Sequence, residues 1–95
     1  MVKVIWTELA IEDLKFLHNY ISKNSTSYAS RFIAKLISKV KQLERFPKSG
    51  RIVPEFGLEN IRELIESNYR IVYQIKSESV FIARIQNSAM ILNNI

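Results

Sequence analysis

The spacing of apolar residues changes along the chain and predicts a strand, two helices and then a set of strands. Lys3-Val4-Ile5-Trp6 is a short apolar run that reads as a strand. Thr7 behind it is suited to cap a helix, and Glu8 is favourably placed in the first turn. Leu9, Ala10, Leu14, Leu17 and Ile21 recur at three- and four-residue steps, with Phe16 and Tyr20 widening the stripe, which predicts a helix from Glu8 to Ser22. Lys23-Asn24-Ser25-Thr26-Ser27 is a polar turn whose serines can cap the next element. From Tyr28 onward Phe32, Leu36, Val40 and Leu43 recur at helical spacing, flanked by Ile33, Ile37 and Phe46, so a helical hairpin is expected. Phe46-Pro47-Lys48-Ser49-Gly50-Arg51 ends it, because the residue before proline disfavours the helical region and glycine permits a turn. Ile52 to Glu59, with Pro54 and Gly57, reads as an ordered connector.

Three strands are expected next, at about Asn60 to Glu66, Tyr69 to Lys76 and Ser79 to Gln86, joined by Ser67-Asn68 and Ser77-Glu78 in an antiparallel meander. The aromatic and β-branched run Tyr69-Arg70-Ile71-Val72-Tyr73 suits a central strand, and the charge in its interior needs a partner or a purpose. With two-residue turns, Leu64, Ile71, Tyr73, Ile75, Val80 and Ile82 share one face with Arg62 and Arg84. Ile65, Val72, Phe81, Ala83 and Ile85 share the other with Arg70. Two helices cover one face of such a sheet, so the second apolar face calls for a C-terminal segment or a bound protein.

Composition narrows the class. Ninety-five residues make a single α+β domain, 1–95, and 47% of them are hydrophobic, with only two glycines and two prolines. No run approaches the ~20 apolar residues of a membrane span, and no apolar signal-peptide core follows the N-terminus, so a cytoplasmic address without a membrane partner is expected. The absence of cysteine excludes disulfides and thiolate metal sites. The net charge of +5 is concentrated in residues 1–47, where eight Lys/Arg face four acids, and this favours acidic proteins or nucleic acid as partners. Arg31, Lys35 and Lys39 repeat every fourth residue, as a partner-facing stripe or as a solvated helix face.

No glycine-rich phosphate loop, placed nucleophile or spaced ligand set is present, so neither metal nor cofactor is expected. His18 reads as a surface or boundary residue, Trp6 as a core anchor, and Glu12 and Asp13 as complements to the helix dipole. The chemistry that remains lies in Arg51, Arg62, Arg70 and Arg84. Guanidinium groups can clamp a phosphodiester or stabilise developing negative charge, or each can pair with an acid such as Glu55, Glu59, Glu63 or Glu66.

The opening strand with Trp6, the paired helices, Pro47-Lys48-Ser49-Gly50-Arg51, Val53-Pro54-Glu55, Arg62-Glu63-Leu64 and Tyr69-Arg70-Ile71-Val72-Tyr73 together resemble the RelE/ParE toxin superfamily over nearly the whole chain. The turn and Val53-Pro54-Glu55 look more like its ParE branch. The resemblance implies the toxin of a type II toxin-antitoxin (plasmid stabilisation) module, neutralised by a cognate antitoxin that covers the second sheet face. It leaves open a homodimer or a toxin-antitoxin hetero-oligomer. ParE-like toxins poison DNA gyrase, whereas RelE-like toxins cleave messenger RNA on the ribosome. Arg70 matches a phosphate-handling arginine of the RelE branch. The RelE lysines have no equivalent in Ile61-Arg62-Glu63-Leu64-Ile65, and after the last strand Asn87-Ser88-Ala89-Met90 departs from the superfamily's polar residue and arginine. Asn87 cannot transfer a proton near neutral pH and Met90 cannot hold a phosphate. The expectation is therefore a non-enzymatic, gyrase-binding toxin, with Arg51, Arg62, Arg70, Tyr73, Arg84 and Met90 as partner-binding residues. The alternatives are a ribosome-dependent endoribonuclease using Arg70, Arg62 and Arg84, and a non-toxic member that still binds its antitoxin.

Overall fold

A computed structural model describes residues 1–93. The chain runs β1 (Lys3–Trp6), α1 (Glu8–Ser22), α2 (Thr26–Lys41), a 3-10 turn (Gln42–Glu44), β2 (Arg51–Ile52), β3 (Ile61–Glu66), β4 (Tyr69–Lys76) and β5 (Ser79–Asn87). Both helix starts follow from capping. Thr7 accepts the Ala10 N–H at 3.2 Å, and Ser25 accepts the Tyr28 N–H at 3.1 Å, each satisfying a donor with no partner inside its helix. The Thr7 hydroxyl also donates to the Ile82 carbonyl at 2.7 Å, so this cap fastens α1 to β5.

The five strands form one sheet in the order β1-β5-β4-β3-β2, with β1 parallel to β5 and every other pair antiparallel. The helical hairpin packs on one face. Ala10 and Leu17 of α1 and Phe32, Leu36 and Val40 of α2 meet Leu64, Ile71, Tyr73, Val80, Ile82 and Ile85, with Trp6 packed partly buried at the margin. A smaller cluster on the opposite face joins Ile61 and Val72 to Val53, Phe56 and Leu92. The second apolar face thus has a partial cover from the connector and the segment after β5.

The structure differs from the expected meander in three places. The connector contributes a short strand, β2, because Arg51 and Ile52 fall into register with Glu63 and Arg62. Helix α2 stops at Lys41 and continues only as a 3-10 turn, so Phe46 lies beyond it and is exposed. In β5 the register slips at Ala83: Val72 pairs with Arg84, whereas Tyr73 pairs with Ile82. This bulge inserts one residue and exchanges the faces beyond it. Ile85 joins the helix-side core, while Arg84, paired in register with Val72, still reaches Asp13 of α1.

Gly50 is required by close approach. A Cβ there would lie 2.6 Å from the Glu63 carbonyl oxygen and 2.7 Å from the Tyr73 hydroxyl. The wholly buried Tyr73 donates to the Pro47 carbonyl at 2.7 Å and accepts the Gly50 N–H at 2.9 Å, closing the turn between the hairpin and β2. Among the described residues, no helix is long and apolar enough to cross a membrane.

Candidate functional site

The arginines singled out by the sequence are dispersed, and each is engaged differently. Arg70, the second residue of β4, the middle strand of the sheet, lies on the open face and is 3% exposed. Its Nη1 donates to Glu55 Oε1 and Glu63 Oε1, each at 3.0 Å; its Nη2 donates to Glu55 Oε2 and to the Met90 carbonyl at 2.7 Å. Glu63, directly opposite Val72 in β3, is also buried and accepts a second bond from Arg51 Nε at 2.6 Å. The Glu55 carboxylate further accepts the Leu92 N–H at 3.0 Å. These bonds to the charged form, led by Arg70 and followed by Leu92, hold the Glu55 pKa down to about 2. Arg70 is correspondingly raised, chiefly by Glu55, and keeps its charge. The charge that first needed explaining is therefore neutralised by two carboxylates and shielded from water. The Arg70 Nε, however, is buried without a hydrogen-bond partner among the described residues.

Arg62 points to the other face and clamps backbone. It donates to the carbonyls of Glu59 and Gly50, both at 2.9 Å, and of Lys48 at 3.3 Å, bracing the turn that Tyr73 closes. Arg84 forms a forked pair with Asp13 of α1 at 2.9 and 3.2 Å. Asp13 also accepts the Ile85 N–H at 2.9 Å, along the part of β5 that β1 does not reach. Asp13 thus ties helix to strand, a role beyond complementing the dipole. The basic stripe of α2 is partly absorbed in the same way, since Lys35 and Lys39 reach Glu66 at 3.1 and 3.3 Å and hold its pKa down.

Of the residues expected to meet a partner, Arg70 and Tyr73 present almost no surface, because the ion network and the turn consume them. Arg51 and Met90 are accessible, with the Arg51 side chain 65% exposed and Met90 57% exposed. Met90 borders a groove of about 330 Å³ between α1 and the ends of β4 and β5, with Phe16, Tyr20, Tyr69 and Asn87 along its walls and the Asp13–Arg84 pair at its margin. Phe16 is 74% exposed and Tyr20 58% exposed. Both lie on the flank of the helical stripe, where periodicity assigns them to the core. The available signal was a stripe too wide for a two-helix cover. Desolvation, with Tyr20 and Tyr28 nearby, raises the Tyr69 pKa, so its phenol stays neutral near pH 7. The groove therefore joins aromatic surface to amides and a neutralised ion pair. This composition suits protein contacts better than proton transfer.

Comparison with known proteins agrees with this architecture. Residues 4–92 match the family model described as the ParE toxin of the type II toxin-antitoxin system, parDE. Toxin RelE2 of Caulobacter vibrioides is 31% identical over 90 residues, an alignment spanning 94% of this chain and 98% of the relative. A solved structure described as the chromosomal ParDE TA system from P. aeruginosa superposes with a TM-score of 0.75 at 21% identity, covering 92% of this chain and 96% of that one, which supports the fold. With both the sequence match and the five-stranded, helix-covered sheet in place, the chain belongs to the ParE toxin family of type II toxin-antitoxin systems.

Proposed function

We propose that this toxin acts by binding a protein target, DNA gyrase, and that a cognate antitoxin neutralises it by covering the aromatic groove beside α1. The observation that carries this reading is the state of the arginines. Arg70 is engaged by Glu55, Glu63 and a carbonyl, Arg62 by three carbonyls, and Arg84 by Asp13. Phosphodiester cleavage needs a cation free to meet the phosphate and a group able to move a proton. The end of β5 instead offers Asn87 and Met90. Exposed Phe16, Tyr20 and Met90 are residue types enriched at interface hot spots, and the net charge of +5 favours an acidic partner.

The test is inhibition of purified gyrase in a supercoiling assay, relieved by adding a cognate antitoxin. No inhibition at large toxin excess sinks the gyrase assignment. Ribosome-dependent messenger cleavage that Arg70→Ala abolishes would replace it with the endoribonuclease reading. Antitoxin binding with neither activity would identify a non-toxic member. Truncating Phe16 and Tyr20 to alanine is expected to weaken antitoxin binding by ~10- to 100-fold while leaving thermal stability nearly unchanged, since both side chains are exposed.

A further inference from the structure

We infer that the outer edge of β1 pairs antiparallel with the same edge of a second copy of this chain, joining two five-stranded sheets into one. The two edges of the sheet are built differently. At one, β2 is two residues long and Pro54 follows close behind it, so that edge offers almost no ladder. At the other, β1 pairs with β5 in unbroken register from Lys3 to Trp6, with neither proline nor bulge. Three of its four residues are apolar. Such an edge is a template for another strand.

The ladder with β5 decides which groups the edge presents, because successive residues direct their N–H and C=O to opposite sides of a strand. The Lys3 N–H donates to the Glu78 carbonyl and the Thr7 N–H to the Ile82 carbonyl, each at 3.2 Å, so Lys3, Ile5 and Thr7 face β5. Val4 and Trp6 turn theirs outward, to a side with no strand. Val2 has the same orientation, but its N–H is taken by the Glu44 carbonyl at 3.0 Å. The 3-10 turn therefore closes the edge ahead of Lys3 and leaves open the stretch centred on Ile5. Beside it lies a hollow of about 230 Å³ lined by Val4, Trp6, Ile37, Val40, Lys41 and Glu44, with Ile37 46% exposed.

A second copy is the occupant that this stretch fits, because Lys3-Val4-Ile5-Trp6-Thr7-Glu8 is complementary to itself. A two-fold axis through Ile5 sets Val4 opposite Trp6 of the second copy, so the outward groups of both residues are paired in both chains. The same axis brings Lys3 opposite Thr7 and diagonal to Glu8 of the second copy. Lys3 and Glu8 are exposed and oppositely charged, and among the described residues neither is in an ion pair. An axis through Val4 would set Trp6 against Val2, whose N–H is already used, and one through Trp6 would set Val4 against Glu8, which is helical. Only the register centred on Ile5 satisfies both outward residues. No residue of β1 lines the aromatic groove beside α1, so the dimer leaves that groove open, and the pairing holds whichever target the toxin meets. With so short a strand the interface is small, and the dimer should form only as concentration rises.

The experiment is sedimentation velocity of the full chain from micromolar to millimolar concentration, with amide hydrogen exchange measured at both ends of that range. The parent is expected to pass from monomer to dimer. Its Val4 and Trp6 amides should exchange about tenfold more slowly at the high concentration, while that of Ile5, which faces β5 throughout, keeps its rate. Val4→Pro removes an outward donor and no bond to β5, and should weaken dimerisation by about tenfold or more. Lys3→Glu should weaken it by about threefold or more, and Lys3→Glu with Glu8→Lys should restore it. Both of these side chains are exposed, so the charge exchange decides the matter even if Val4→Pro fails to fold. A monomer at every concentration overturns the proposal. So does a dimer in which the Val4 and Trp6 amides gain no protection, or one that Lys3→Glu leaves intact, since either places the interface elsewhere. A charge exchange that fails to restore the dimer overturns the antiparallel register.

Discussion

Replacing Arg70 by methionine keeps the apolar stem packed in β4 and removes the guanidinium that two carboxylates and a carbonyl depend on. Glu63 suffers most. Its side chain is 0% exposed, and the substitution leaves only Arg51, itself largely in solvent, to offset a buried charge. Glu55 can turn partly to water, its side chain being 23% exposed. Its depressed pKa of about 2 corresponds to ~3 kcal/mol in full, and discounting for that exposure leaves about 1–2 kcal/mol. Breaking a buried pair by deleting one partner costs about 3–5 kcal/mol, so Arg70→Met should fall in that range. A domain of this size has roughly 5–14 kcal/mol in total. With a urea slope of about 1–1.5 kcal/mol/M, the unfolding midpoint should drop by about 2–5 M, followed by circular dichroism at pH 7. The triple variant Arg70→Met, Glu55→Gln, Glu63→Met removes the charges together and should recover at least half of the loss, because no ion is left stranded. A midpoint shift below about 0.5 M for the single change, or a triple variant less stable than the single one, would refute the structural role assigned to Arg70.

Other expectations follow from the same geometry. Tyr73→Phe leaves the Pro47 carbonyl and the Gly50 N–H without their partner and should cost about 1–3 kcal/mol in urea unfolding, with helix content unchanged in the native baseline. Ser67 and Ser77 hold φ of 55° and 53° at the two hairpin turns, where glycine is free of the Cβ clash. Ser67→Gly and Ser77→Gly should each raise stability by about 0.5–1 kcal/mol, read as a higher melting temperature. The Glu55 contribution has a defined pH window: the native pKa is depressed, so it is complete above the ordinary value of 4.5 and is lost as pH falls toward about 2. Glu66, lowered by Lys35 and Lys39, acts in the same direction. Urea midpoints measured from pH 6 to pH 2 should decline across this window in the parent, and more gently in Glu55→Gln.

Local periodicity determined a great deal. The bounds of β1, α1 and β4 follow from residue spacing and from Thr7 as a cap, because these depend on neighbours a few residues apart. The two-residue turns at Ser67-Asn68 and Ser77-Glu78 fixed the meander's register as far as Ile82, and with it the face of every residue up to that point. The tertiary structure alone decided the rest. A bulge at Ala83 leaves no period of its own, yet it carries Ile85 into the core and lets Arg84 meet Asp13 from 71 positions away. The two-residue β2 is too short to show an alternation and exists because β3 offers its edge. Arg70 had four acids within reach in the sequence; only the approach of the connector to β3 selected Glu55 and Glu63. Phe16 and Tyr20 carried a helical pattern that placed them inside, but a sheet of this width receives only part of α1, and the remainder stays on the surface as the groove wall. Periodicity reports which residues share a face. Which face is covered, and by what, depends on contacts between segments far apart in the chain.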